Sequence, residues 1–164
     1  MNAVQQEEVL FAREEEDQIA LEEPVVSSRK YLIFLIEDLH LGVDAEYVVE
    51  IMNAYTVTYL PMMPDYIRGI FNMRGQIIPV MDIRLRLGKP ALEEKSLLVV
   101  LNYEGTSIGI LVDAVDQMID IPNETILPVP AQSAQKLVSS MSTIPDGSGT
   151  MLVLDCEELV RHDY

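Results

Sequence analysis

Residues Asp65–Lys89 read DYIRGIFNMRGQIIPVMDIRLRLGK, and the fold is decided in this stretch. Tyr66, Ile67, Ile70, Phe71 and Met73 make an apolar strand pattern, Arg74-Gly75 interrupts it, and Gln76 to Met81 resumes it. Two such runs split by a glycine-containing pair predict a β-hairpin. Pro79 has no N–H for a ladder, so the second strand is expected at a sheet edge or broken by a bulge. Asp82 is placed to cap a short Arg/Leu turn of helix, which Gly88 and Pro90 stop.

Charge sets the same stretch apart. Arg68, Arg74, Arg84, Arg86 and Lys89 face Asp82 alone between Arg68 and Lys89, a local charge of +4. The chain as a whole carries −16, from 11 basic and 27 acidic side chains, so the remainder sums to −20. Such arginines commonly balance a protein's own carboxylates. Arg74 differs, because a hairpin tip beside a glycine is exposed. There a guanidinium can offer forked donors to a partner's carboxylate or carbonyls.

Working outward, 164 residues and 49% apolar content allow one domain, or two small ones around a common core. No apolar run is long enough for a membrane span, and the acidic N-terminus has no signal-like core. The strong acidity argues against general binding to nucleic acid or an anionic membrane. The single cysteine, Cys156, excludes an internal disulfide, fits a reducing cytoplasm, and sits in an apolar context that predicts burial. Residues 1–28 form an acidic tail, expected to be partly helical or disordered, with Pro24 near its end.

The remainder, residues 29–164, reads as short strands. Tyr31–Ile36 and Leu39–Val43 flank a Glu37-Asp38 turn, and Leu97–Tyr103 and Ser107–Val112 flank Glu104-Gly105. Thr56–Leu60 is a further expected strand. Asp44 is expected to cap a helix with an apolar face of Ala45, Val48, Val49 and Met52. The order then repeats. LGVDAEYVVEI from Leu41 resembles IGILVDAVDQMIDI from Ile108, and GQIIPVMDIRLRL from Gly75 resembles GTMLVLDCEELV from Gly149. The offsets are 69 residues for Asp44 to Asp113 and 73 for Asp82 to Asp155. Two like units follow, neither able to hide its sheet alone. Many short strands with glycine and proline turns suggest small barrels. The proline-rich segment Ile121–Ala134 is expected on the surface, and Asp146-Gly147-Ser148-Gly149 in the last turn.

Catalytic signals are weak. Asp44, Asp82, Asp113 and Asp155 each follow an apolar run, which fits capping better than a metal or acid–base site. His40 and His162 have no partner at ligand spacing. Gly147-Ser148-Gly149 lacks the lysine of a phosphate loop. No cofactor is expected. What remains is surface: Val48, Val49 and Glu50 in one unit and Val115 in the other could line a groove for a partner helix.

These residues resemble the CheW family of bacterial chemotaxis coupling proteins. The family's asparagine–leucine–arginine–glycine element is similar to Asn72-Met73-Arg74-Gly75, and its isoleucine–proline–valine and aspartate-led turn to Ile78-Pro79-Val80 and Asp82. With VDAEYVVEI, GILVDAVDQMIDI and MLVLDCEELV, the resemblance spans about Tyr31 to Val160. It implies a mostly β fold of two intertwined five-stranded SH3-like barrels sharing an apolar core, with short helices and no catalysis. It implies an adaptor in the cytoplasm, recruited to receptor arrays at the inner membrane. Its partners would be the cytoplasmic tip of methyl-accepting chemoreceptors and the regulatory domain of the histidine kinase CheA. Carried over by motif, the receptor surface would use Val48, Glu50, Gly69, Arg74, Leu97, Gly109 and Val115. In the loop Pro122–Gln132, Leu127 and Gln132 would meet the kinase. Other readings are a CheW-like regulatory domain of a larger kinase or receiver-fused protein and, more distantly, an acid-cluster metal-dependent hydrolase. A start at Met1 and an end soon after the last motif favour a free-standing adaptor.

Overall fold

A computed structural model describes residues 27–92, 96–130 and 136–161. Residues 1–26 of the acidic tail, Gln132 and His162 lie outside them, and the tail's last residue, Ser28, begins the first strand. The hairpin that decides the fold is present as β4 (Ile67–Met73) and β5 (Gln76–Asp82). Arg74 and Gly75 both take positive φ, +51° and +85°, the primed turn whose twist matches the flanking strands. The Asn72 carboxamide oxygen accepts from the Gly75 N–H at 2.9 Å, which gives the asparagine of the motif its task. The same device recurs between β6 (Leu97–Tyr103) and β7 (Thr106–Val112), where Asn102 accepts from Gly105 N–H at 3.2 Å.

The remaining strands are β1 (Ser28–Ile36), β2 (Leu39–Asp44), β3 (Val48–Met52), β8 (Ala114–Pro122), β9 (Leu127–Pro128), β10 (Val138–Thr143) and β11 (Thr150–Leu154). They form two sheets, ordered β8-β1-β2-β11-β10-β9 and β3-β6-β7-β5-β4. The repeat expected from the sequence is visible in this order. In each sheet an antiparallel hairpin (β1–β2 or β6–β7) is joined in parallel to a second one through β11–β2 or β5–β7. The edge strands are exchanged: β3 follows β2 in sequence but pairs with β6, and β8 follows β7 but pairs with β1. Neither unit completes its sheet alone.

Burial follows from this exchange. Along β1, Leu32, Phe34 and Ile36 face the main core, and Tyr31 and Ile33 face a smaller core private to their own sheet. Along β6, Val99 and Leu101 join the main core, while Leu98 and Val100 join the private core of the other sheet. Strands buried on both faces read as continuous apolar runs, which is why these segments lack polar alternation.

Four expectations need correction. β5 is not an edge strand, since it lies between β7 and β4, and the register break offered as the alternative falls on its partner β4, between Ile67 and Gly69. Pro79 is tolerated because its opposite residue, Ile70, turns its own N–H and C=O to Thr58, and pairing with β7 starts only at Val80. Thr56–Leu60 is not a strand but a single bridge at Thr58, followed by exposed Tyr59. Asp44 caps only a 3-10 turn, Ala45–Tyr47, because the β-branched residues after it pair as β3. Asp113 caps no helix, since strand β8 begins at the next residue. Asp82 and Asp155 do cap short helices, Ile83–Arg86 and Cys156–Val160, accepting from Leu85 and Glu158 N–H at 3.4 and 3.2 Å.

Candidate functional site

Three of the residues assigned to the receptor surface fall in one row across the five-stranded sheet. Gly69 pairs with Val80, Val80 with Gly109, Gly109 with Val100, and Val100 with Glu50. The two glycines are buried and shape the sheet. A Cβ on Gly109 would stand 2.8 Å from Leu98 Cδ1, and one on Gly69 would stand 2.0 Å from the Thr58 carbonyl oxygen. Gly69 also has φ +146°, a region that side-chain-bearing residues avoid. Gly69 thus admits the Thr58 backbone against β4, and Thr58 and Ile70 exchange hydrogen bonds of 2.8 and 2.9 Å.

Arg74 stands free at its hairpin tip, 83% exposed, with Glu50 as a loose partner at 3.8 Å. An exposed pair at that distance contributes little to stability, about 0–1 kcal/mol, so the guanidinium is available to another molecule. Val48 and Val115 are half-buried and pack on the same main core from β3 and β8. Leu97, half-buried at the start of β6 opposite Val112, packs there too. Val49 and Ile51 expose their side chains beside Glu50 on β3. The arrangement is a surface on edge strand and hairpin tip. Two cavities lie elsewhere: about 730 Å³ among Val57, Tyr59, Met63, Ile67, Arg68 and Leu85, and about 240 Å³ among Arg29, Asp44, Tyr47, Tyr103 and Glu157.

The remaining cations of the +4 stretch have mostly internal roles. Arg84 is buried and donates to Asp113 at 2.7 Å and to Glu37 at 2.8 Å. Lys89 donates to Glu37 at 3.0 Å, and this bond, with the nearby charges, holds the Glu37 carboxyl below its usual range. Arg86 lies over the Tyr66 ring, 5.2 Å from its centre. Sequence reasoning missed the Arg84–Asp113 bond because its partners lie 29 residues apart. It also missed an exposed apolar loop, Tyr59, Leu60 and Met62, whose signal was a run of large apolar residues around Pro61 where a loop is normally polar. Leu127 is exposed on β9.

The Cys156 thiol is buried, and loss of solvent pushes its pKa up to about 12, as expected of a packing residue. Among the described residues no three His, Cys, Asp or Glu side chains gather as a metal site, and no helix is long and apolar enough to cross a membrane.

The profile of the CheW-like domain matches residues 30–163. The chain belongs to the CheW family. It is 28% identical over 140 residues to the chemotaxis protein CheW of Klebsiella aerogenes, covering 82% of this chain and 83% of that one. It is 33% identical over 104 residues to the protein FrzA of Myxococcus xanthus, covering 62% and 65%. Among solved structures, the scaffolding protein CheW of Thermoanaerobacter tengcongensis superimposes with a TM-score of 0.72 at 27% identity, covering 79% of this chain and 90% of that one. The mostly β CheW fold expected from the sequence is therefore established, and the chain is a chemotaxis signalling adaptor, not an enzyme.

Proposed function

We propose that this chain couples the cytoplasmic tip of transmembrane chemoreceptors to the regulatory domain of the histidine kinase CheA, at receptor arrays on the inner face of the membrane. The observation that carries the reading is Arg74, presented on a primed turn with Glu50, at 3.8 Å, as its only ion-pair partner among the described residues. Arg74 pairs with a receptor carboxylate or carbonyl. Val48, Leu97 and Val115 supply apolar contact, and Glu50 holds the guanidinium in place between encounters. Gly69 and Gly109 act through shape, Gly69 by admitting the Thr58 backbone against β4 and Gly109 by leaving room for the Leu98 side chain. The kinase meets Leu127 on edge strand β9, with Gln132 further along the chain, and the apolar loop Tyr59–Met62, since exposed apolar patches of this kind mark contact surfaces. Holding both proteins at once lets a shift in one bias the other.

Titration of the chain against a soluble receptor-tip fragment, and separately against the kinase regulatory domain, tests this. Arg74→Glu should lose the first interaction and keep the second, and Leu127→Asp should do the reverse. Loss of both interactions in either variant, with the fold intact, would contradict separate surfaces.

A further inference from the structure

Asp113 lies where the chain leaves one sheet at the end of β7 and enters the other as β8, and Asp44 lies at the reverse crossing from β2 to β3. The two crossings are equivalent in the repeat but are held differently. At Asp113, the Arg84 guanidinium is only 8% exposed and bridges Asp113 and Glu37, while its Nε donates to the Pro90 carbonyl at 2.8 Å. The Glu37 N–H donates to the same Asp113 oxygen at 2.8 Å, and the Asp113 N–H donates to the Leu35 carbonyl at 3.1 Å. One side chain thus ties the β1–β2 turn, the helix after β5 and the first residue before β8. At Asp44 the cation is Arg29, 60% exposed and 3.4 Å away. The repeat position matching Arg84, two residues after the capping aspartate, holds Glu157, an acid.

We propose that Arg84 is a positioning residue for the receptor surface. It fixes the β7–β8 crossing and so holds Val115 as a rigid wall, while the crossing into β3, which carries Val48 and Glu50, stays compliant. The inference rests on the receptor-coupling reading above. A buried guanidinium cannot swing away without stripping the largely buried Asp113 carboxylate of its charged partner, whereas Glu37, half-exposed, keeps Lys89. A lysine in its place keeps the charge and loses the fork that reaches both.

Hydrogen exchange and receptor-tip binding should be compared in Arg84→Lys and in Ile78→Val, a control in the core private to the other sheet. Arg84→Lys is expected to speed exchange of the paired amides of Ala114–Gln117 about tenfold or more relative to the control, the mark of local opening. Receptor-tip affinity should fall about two- to thirtyfold, the range for coupling through residues that do not touch the ligand. Equal protection of Ala114–Gln117 in the two variants would overturn the proposal, as would unchanged affinity in Arg84→Lys. Failure of the unsubstituted protein to bind the tip removes the receptor part, while the exchange comparison still decides whether Arg84 holds the crossing.

Discussion

Gly69→Ala should be among the most damaging single-methyl changes in this protein, through backbone geometry and not through any lost partner contact. The added Cβ would sit 2.0 Å from the Thr58 carbonyl oxygen and 2.7 Å from its carbon, both main-chain atoms with no rotamer to give way. Alanine at φ +146° itself costs about 1–3 kcal/mol. Relieving the clash means separating Thr58 from Ile70, which breaks hydrogen bonds of 2.8 and 2.9 Å. At about 1 kcal/mol net each, these add about 2 kcal/mol. The total of about 3–5 kcal/mol is a large share of the roughly 5–15 kcal/mol that holds a domain together. Urea unfolding followed by far-UV circular dichroism should show the midpoint lowered with its slope unchanged. Gly75→Ala is the control: its φ is also positive, at +85°, but nothing lies within 4 Å of the new Cβ. It should cost about 1–2 kcal/mol, the ordinary penalty for a Cβ in the left-handed region. Equal losses at Gly69 and Gly75 would refute the reasoning.

Arg74→Glu should change the unfolding free energy by no more than about 1 kcal/mol, since an exposed 3.8 Å pair stabilises little, while receptor-tip binding is lost in calorimetry. The Cys156 thiol, pushed up to about 12 by burial, should resist alkylation at pH 8 in the native protein and react at once in urea; fast native labelling would contradict its burial. The Ser148 hydroxyl, then the Gln117 amide at 2.8 Å and the Ser148 N–H at 2.9 Å, all donating to Asp146, hold its carboxyl at about 2, below the ordinary value of 3.8. A lowered folded-state pKa contributes stability that is present above pH 4 and lost as the pH falls toward about 2. Asp146→Asn should therefore flatten the acid limb of the thermal-midpoint curve between those values, and an unchanged limb would count against these bonds.

The hairpins were legible because their signals are local. Arg74-Gly75 and Glu104-Gly105 each stand between apolar runs, and the glycine in each supplies the second positive φ of the turn. The repeat was legible too, from the matching aspartates and glycines. What the sequence did not disclose is non-local. Val48–Met52 has the spacing of a helix face, and only its pairing with β6 makes it a strand. Asp113 looks like Asp44, Asp82 and Asp155, but strand β8 starts at the next residue, so it has no helix to cap and serves as the ion-pair partner of Arg84. Pro79 suits an interior strand only because Thr58 takes the bonds of Ile70. Of the site, Arg74 was placed correctly on an exposed tip from its neighbours alone. Its nearness to Glu50 depends on how the two edge strands approach, which no local pattern encodes.

The most direct measurement is co-sedimentation of the kinase with receptor-containing membranes, with the chain absent, present, or carrying Arg74→Glu. The kinase should pellet when the unsubstituted chain is added and stay in the supernatant with Arg74→Glu. Kinase that pellets equally in all three conditions would show that no bridge through this surface is needed.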